Sequence, residues 1–489
     1  GGGGFGAGAL GRSTKINVVL GVDALDALDK IFAQLARVDL AVLDAVTQRQ
    51  GAHVMPFTRH VSYGSPFPAL CYAYAGGGEF RHMTVDGQIT ADVAIAGGGL
   101  VGLSLGVALA RAGLDTVVMD GEDPARMRNA EFDGRVCSIA YGSKRVLDGI
   151  GVWDGMAGKA EPILEIRVSD SDVPLFLHYD HRNVGTDPLG WIVENRVTRV
   201  ALLDAVAGTV KLRHLAPVSV TEFSHQGERI EARLADGRRI SARLAIAADG
   251  RNSRLRQAAG IRTMNWSYAQ TGIVCTVRHA RPHRGIAHER FFPAGPFAIL
   301  PMTAGRSSIV WTEKASLAPE LLALGDGEFH AELASRFGDF LGTLEIAGPR
   351  WSYPFALTHA NRYIGERLAL AGDAAHAIHP LAGQGFNLGV RDVAVLAELI
   401  VDRYRLGLDI GAPDLLARYQ QSRRVDALAL IVVTDGLNRL FSNDIAPVRL
   451  VRDLGLAAVN RTPRLKNLFM RHAMGVVGEL PRLARGEPL

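Results

Sequence analysis

Ala91-Asp92-Val93-Ala94-Ile95-Ala96-Gly97-Gly98-Gly99-Leu100-Val101-Gly102 is the stretch on which the fold turns. Ala91 to Ala96 is a short run of small and β-branched residues, the pattern of a buried strand. Leu100 to Ala112 follows with helical spacing and Thr116 to Met119 is a second apolar run, so a strand, turn, helix and strand are predicted in succession. Glycine stands at the first, third and sixth positions of the turn. Gly97 permits a tight turn, Gly99 lets a pyrophosphate approach the backbone, and Gly102 lets the helix lie close to the strand, while the helix N-terminus offers N–H donors to phosphate. Asp120 ends the second strand, where an acid accepts hydrogen bonds from a ribose. The same glycine spacing at Gly1, Gly3 and Gly6 has no strand before it and is set aside. An adenine dinucleotide site is predicted; flavin and nicotinamide remain open at this point.

Outward from this unit, Ile230–Leu234 and Arg239–Ile246 flank Asp236-Gly237, the dipeptide suited to a tight hairpin. From about Thr263 to Pro354, aromatic and β-branched residues alternate with glycine and proline, as in Phe291-Phe292-Pro293 and Ile309-Val310-Trp311, which predicts a mostly β second domain. After Asp373 the pattern is helical to the end. The first 82 residues differ: they open Gly-Gly-Gly-Gly without methionine and include Ala75-Gly76-Gly77-Gly78. They read as an atypical extension, poorly ordered or non-native, with Met83 as the expected natural start. Leu25, Leu28, Phe32, Leu35, Val38 and Val42 keep helical spacing within it, so a partner-binding amphipathic helix stands beside the plainer reading of a tag or upstream translation.

At 489 residues the chain suits two joined domains with appendages, and 48% apolar with 21% charged residues is ordinary for a globular protein. A formal charge of +4 gives no argument for nucleic acid. Cys71, Cys137 and Cys275 are far apart without CxxC spacing, which argues against a disulfide framework or zinc site and fits a reducing cytosol. No apolar run reaches the roughly 18–20 residues of a membrane span, so any membrane contact is expected to be peripheral.

Two later motifs separate flavin from nicotinamide. Ala247-Ala248-Asp249-Gly250 ends one strand and precedes Ser253 and Arg256; Leu370-Ala371-Gly372-Asp373-Ala374-Ala375-His376 ends another and is expected to run into a helix. With the first turn, they resemble the three fingerprints of the class A flavoprotein monooxygenases, whose familiar member is para-hydroxybenzoate hydroxylase. From about Thr84 to Gly486 the likeness sharpens. Ile378-His379-Pro380-Leu381-Ala382-Gly383-Gln384-Gly385-Phe386-Asn387-Leu388-Gly389 with Arg391-Asp392-Val393, then His288-Glu289-Arg290-Phe291-Phe292-Pro293, Gly295-Pro296-Phe297-Ala298-Ile299-Leu300-Pro301 and Ala473-Met474-Gly475 resemble the ubiquinone-biosynthesis hydroxylases of the UbiH-like branch.

The resemblance implies an α/β fold: a Rossmann-like FAD-binding domain with an inserted mostly β substrate domain and a helical C-terminal region. The expected division is 83–262 for the first part of the FAD-binding domain, with some segments contributing to the substrate domain, then 263–355, a return segment 356–410, and helices over 411–489. It implies non-covalent FAD held by Gly97, Gly99, Gly102, Asp120, Arg135, Asp249, Gly250, Gly372, Asp373, Gly385 and Asn387. Asp373 would take the ribityl chain, and Pro380, Gly383, Gln384 and Gly385 would form the loop at the flavin ring, where a helix N-terminus stabilises negative charge. Arg135 fits a surface arginine equally well. NAD(P)H and O2 are the implied co-substrates, reacting through a C4a-hydroperoxyflavin, and no dedicated nicotinamide domain is expected.

The implied substrate is a polyprenylated phenol on the route to ubiquinone. Phe291, Phe292, Phe297 and Leu300 are a candidate apolar wall for it, ordinary core packing being the alternative for each. No base is identified. His376 and His379 are spaced for a shared helix face, but no other ligands accompany them and Pro380 interrupts the helix, so no metal is expected and both are assigned to lining or supporting the flavin pocket. From Arg449 to Arg485, Arg449, Arg452, Arg461, Arg464, Lys466, Arg471, Arg482 and Arg485 face only Asp453 and Glu479, and Leu454, Leu456, Leu465, Leu468 and Phe469 are interleaved. This composition fits either attachment to the inner face of a membrane or a solvated cationic helix face. A ubiquinone-biosynthesis complex is a further implied partner. The competing functions are a flavin monooxygenase acting on another aromatic or isoprenoid compound, and a non-catalytic flavin-bound scaffold.

Overall fold

The computed structural model describes residues 88–170, 176–380, 383–442 and 459–489; the extension, its amphipathic pattern and the expected start at Met83 lie outside the described residues. The opening stretch folds as β1 (Gln88–Ala96), α1 (Leu100–Arg111) and β2 (Thr116–Met119). Val93 and Ile95 of β1 are fully buried because both sheet faces are covered, which is why the strand reads as continuously apolar. Leu103, Leu105, Val107 and Leu109 are buried around most of α1 for the same reason.

The first sheet has the order β18 (Ile364–Gly365), β19 (Leu368–Leu370), β11 (Arg239–Ala247), β1, β2, β8 (Leu212–Leu215), with β10 (Arg229–Leu234) and β9 (Val220–Gln226) as a meander from β11. From β19 to β8 neighbouring strands run parallel. The predicted hairpin is present as β10 and β11, turning at Gly237 with φ +89°. Parallel strands end together, so the loops after β1, β11 and β19 gather at one edge, the crevice where ligands bind in open α/β sheets. Those loops hold Gly97, Asp249 and Asp373.

The second sheet runs β20 (His376–Ala377), β17 (Trp351–Ala360), β12 (Thr263–His279), β15 (Arg306–Lys314), β14 (Gly295–Met302), β13 (Ile286–Phe292), β5 (Glu165–Asp170), β6 (Phe176–Asp180), with β16 (Leu344–Ile346) also on β12. A three-stranded sheet, β3 (Val136–Ala140), β7 (Gly190–Glu194) and β4 (Glu161–Ile163), lies against β14. One face of the large sheet, carrying Ile273, Cys275, Phe297, Ile299, Ile309 and Trp311, packs on Phe329, Leu333 and Phe337 of α2 (Asp326–Phe337), a helix that the β-rich reading did not anticipate. The other face is turned toward the nucleotide-binding half: Leu300 and Met302 meet Ile163 and Ile192, and Trp351 meets Phe132 at 5.9 Å between ring centres.

After β19 the chain does not pass straight into a helix. A 3-10 turn (Gly372–Ala374) and β20 intervene before α3 (Gln384–Arg405), because the turn must present Asp373 and still let His376 return to β17. The long α4 (Pro413–Phe441) then crosses behind, its Tyr419 hydroxyl donating to the Leu370 carbonyl at 2.6 Å, and α5 (Pro463–Ala473) follows further on. Cys137 and Cys275 are free and buried.

Candidate active site

The first turn is shaped by close approach. Gly97 has φ +107°, and a Cβ there would run into the Ala248 carbonyl. A Cβ on Gly102 would run into the Gly97 carbonyl oxygen. Gly99 differs: a Cβ would meet nothing within 4 Å, so it faces open space at the start of α1. No side chain caps that helix, which leaves its first N–H groups available to an anion. Sequence reading passed over Gly98, whose Cβ would run into the Asp120 carboxylate. Only the strand pairing reveals this, by setting Ala96 beside Met119 and so Gly98 beside Asp120.

Three carboxylates surround the crevice with capacity to spare. Asp120 Oδ1 accepts from the Glu122 N–H at 3.2 Å, while its Oδ2 is buried without a partner. Asp249 Oδ2 takes only a long bond from the Leu255 N–H, 3.4 Å, and its Oδ1 is buried and unpaired. Asp373 accepts no hydrogen bond among the described residues; its side chain is accessible yet walled by protein, and that burial raises its carboxyl above the ordinary range. Unpaired buried oxygens are costly and rare, and the hydroxyls of a ribose and a polyol chain would satisfy them.

Two devices hold these loops. Arg256, buried and following Gly250 (φ +83°), donates to the carbonyls of Ala374 and Arg251 at 2.8 and 2.9 Å and so joins the Asp249 and Asp373 loops. Below the second loop, fully buried Asp392 accepts from the Gly372 N–H at 2.9 Å, lies 2.7 Å from His376 Nε2 and accepts from Arg423 Nε at 2.7 Å. Burial alone would raise the Asp392 carboxyl, but His376 and Arg423 overcome it and hold it below the usual range. Arg423 continues to Asp426 at 2.6 Å and thence to Arg391. His376 thus supports the turn through Asp392. Sequence spacing offered no sign of Asp392 in this role beyond its place in the quoted motif.

At the expected ring loop, Gly383 adopts φ +63° and a Cβ would lie 2.7 Å from that of Ser138. α3 starts at Gln384 without a side-chain cap, and Gly385 faces open space. Pro380 is exposed and Gln384 buried. Asn387, expected among the cofactor contacts, has no accessible surface: it accepts from the Ala140 N–H at 2.8 Å and donates to the carbonyls of Ser138 and Gly383 at 2.8 and 3.3 Å. Its amide is spent on stitching α3 to β3, which corrects the direct contact to a positioning one. Arg135 donates through Nε to Asp133 at 2.8 Å and is largely exposed; Tyr353 anchors the same loop by donating to the Asp133 carbonyl. His379 packs edge-on between Tyr268 and Phe355, 4.7 and 4.8 Å between ring centres, and burial pushes its imidazole down to about 4.

The four-residue apolar wall divides. Phe297 belongs to the core over α2, with Phe292 packed edge-on to it at 6.0 Å, whereas Phe291 stacks on Phe441 at 4.1 Å and Leu300 faces the small sheet. Period-two alternation puts neighbours such as Phe291 and Phe292 on opposite faces. Among the described residues Glu165, His178 and Asp180 bring possible metal ligands within 4.8 Å of one another, but Arg167 and Arg182 occupy the two carboxylates at 2.9 and 2.6 Å.

An open glycine turn, three carboxylates with unsatisfied oxygens and a second uncapped helix terminus fit a dinucleotide bearing a polyol and an electron-accepting ring. A family profile described as FAD binding domain matches residues 90–433. Fold, site and profile define an FAD-dependent monooxygenase of the aromatic-hydroxylase class. The chain is 54% identical over 402 residues to the ubiquinone hydroxylase UbiL of Rhodospirillum rubrum, which covers 82% of this chain and 94% of that protein. It is 32% identical to the mitochondrial ubiquinone biosynthesis monooxygenase COQ6 of Danio rerio, over 78% of this chain and 89% of the other. The crystal structure of p-nitrophenol 4-monooxygenase PnpA from Pseudomonas putida superposes with a TM-score of 0.66 at 18% identity, covering 79% and 98% of the two chains, a likeness of fold. The chain belongs to the ubiquinone-biosynthesis hydroxylases.

Proposed function

We propose that this protein hydroxylates the aromatic ring of a polyprenylated phenol on the route to ubiquinone, with FAD, NAD(P)H and O2. The observation that carries the reading is 54% identity to a ubiquinone hydroxylase across 94% of its length, together with a flavin crevice whose carboxylates remain unpaired. Bound FAD supplies the hydride acceptor and the activation of dioxygen. The chain's own groups do the rest. The turn 97–102 and α1 would hold the pyrophosphate, Asp120 the ribose, Asp373 the ribityl hydroxyls, and the N–H groups at Gly383–Gly385 the ring. Tyr268 and Phe355 pack edge-on against His379, an apolar group that we assign to one side of the ring, where it would keep water from the reacting atoms. His379 is neutral at physiological pH and adds no charge there.

A strain lacking the gene is expected to accumulate a prenylphenol short of one ring hydroxyl, measured by mass spectrometry of its quinone extract. An unchanged quinone profile rules this reading out. Purified protein that retains FAD but never couples NAD(P)H oxidation to hydroxylated product would instead be the scaffold.

A tail-bearing substrate favours work at the cytoplasmic face of a membrane. No described helix is long and apolar enough to cross one. Arg482 and Arg485 of the basic segment are tied to Asp402 and Glu487, whereas Arg461, Arg464, Lys466 and Arg471 enter no ion pair among the described residues and lie around exposed Leu468 and Phe469. Cations beside exposed apolar groups favour contact with anionic lipid. The triple variant Arg461→Glu, Arg464→Glu, Arg471→Glu is expected to float with anionic vesicles at least about ten-fold less than the parent, since each cation near such a surface contributes about 1 kcal/mol; equal flotation removes the membrane role. A ubiquinone-biosynthesis complex is proposed as the wider setting.

A further inference from the structure

Strand β13 directs its residues alternately to two sides. His288 and Arg290 turn to the α2 side, where the His288 ring packs on Phe340 at 4.6 Å and Arg290 donates to the carbonyls of Arg336 and Phe337. Ala287, Glu289 and Phe291 therefore turn to the opposite face, toward the nucleotide-binding half. Register places Glu289 between Val168 of β5 and Ala298 of β14, and its row continues through Val310 and Val274 to Trp351, beside the Asp133–Arg135 loop. Along the strand its neighbours are buried Ala287 and Phe291.

Glu289 is thus a carboxyl in an apolar row. It accepts no hydrogen bond and enters no ion pair among the described residues, yet keeps part of its surface accessible. An unpaired carboxyl in an apolar row costs stability unless a ligand satisfies it. We propose that Glu289 receives the phenolic hydroxyl of the substrate, accepting its hydrogen bond and then its proton. The inference rests on the phenol reading above. The O–H bond of the phenol breaks, its electron pair stays on oxygen and spreads into the ring, and the proton passes to a carboxylate oxygen of Glu289. No oxidant is consumed in this step. The resulting phenolate is the more electron-rich ring, which is the form suited to accept an oxygen atom.

Burial pushes the Glu289 carboxyl up to about 7, near the working pH of a general base. Asp170 of β5 and Tyr179 of β6 share its face in register, β14 presents the uncharged Pro296, Ala298, Leu300 and Met302 there, and α4 carries the Asp435–Arg439 pair near its end. None of them adds a charge effect to that of burial. The carboxylate form, and hence proton acceptance, is gained as pH rises through about 7.

The test uses the full-length FAD-loaded protein with 2-geranylphenol and its O-methyl ether as probes. Product is measured by mass spectrometry and binding by perturbation of the flavin spectrum. For the parent, kcat/KM toward the phenol should rise with pH through about 7, and above that pH the phenol should bind in preference to the ether. Glu289→Gln should keep its FAD, lose about 100-fold in kcat/KM, lose the rise with pH and lose the preference for phenol. Glu289→Asp should restore the rise. A Gln variant with the parental pH profile and phenol preference overturns the inference, as does one whose sole change is a higher unfolding temperature. A parent that neither binds nor hydroxylates the phenol overturns the phenol reading itself.

Discussion

Gly102→Ala should yield protein that no longer retains FAD. The single added methyl has nowhere to go, because its Cβ would run into the carbonyl oxygen of Gly97, part of the turn that would hold the pyrophosphate. Relief requires α1 to move away from β1, and α1 is buried on most of its surface, so the helix cannot shift alone. FAD affinity is expected to fall at least about 100-fold, equivalent to about 2.7 kcal/mol, with a lower unfolding temperature as well. Gly99→Ala separates the two effects. Its backbone is extended at φ −69° and its Cβ would touch no protein atom, so the fold should be unaffected while the methyl intrudes on the place of the pyrophosphate. Fluorescence titration of apoprotein with FAD, paired with thermal unfolding, checks both. If Gly102→Ala binds within about three-fold of the parent, the turn does not carry the dinucleotide.

Asp392→Ala should be the most destabilising of the polar substitutions. The carboxylate is fully buried and pairs with Arg423, which is itself 4% exposed, so its removal leaves that buried cation with Asp426 as its remaining charge partner; the expected cost is about 3–5 kcal/mol. The Gly372 N–H loses its acceptor at the same time, and with it the turn that presents Asp373, so FAD should be lost in parallel. The sign with pH follows from the depressed carboxyl. Its stabilisation is present above the ordinary carboxylate range and is lost only as pH falls through the lower folded-state value. The difference between parent and variant in urea unfolding should therefore be constant from about pH 6 to 9 and shrink only in strong acid. A cost under about 1 kcal/mol would show that the existing pair with Asp426 suffices for Arg423.

Much of the nucleotide-binding half was legible because its signals are local. A strand, a turn that only glycine can make and a helix follow one another within Ala91–Arg111, and each is specified by periodicity or backbone sterics over a few residues. The Asp236-Gly237 hairpin is legible for the same reason. The Asp249-Gly250 and Gly372-Asp373 motifs added the flavin assignment through resemblance. Helix α2 was missed because the β-branched and aromatic residues on either side of it dominate a wide window, and the apolar wall was misjudged because Phe291 and Phe292 were grouped by composition rather than by alternation.

By itself the amino-acid order determined which residues form the phosphate turn and which carboxylates are candidates beside it. Tertiary structure alone decided that Val168 of β5 lies beside Glu289, since β13 gains this parallel neighbour from more than a hundred residues earlier in the chain. It alone placed Gly98 against Asp120, made Asn387 a stitch between α3 and β3, and joined Asp392 to His376 and Arg423. The reason is physical. Backbone sterics and side-chain periodicity act between near neighbours, whereas the burial and pairing of a polar group are set by whatever distant segment packs against it.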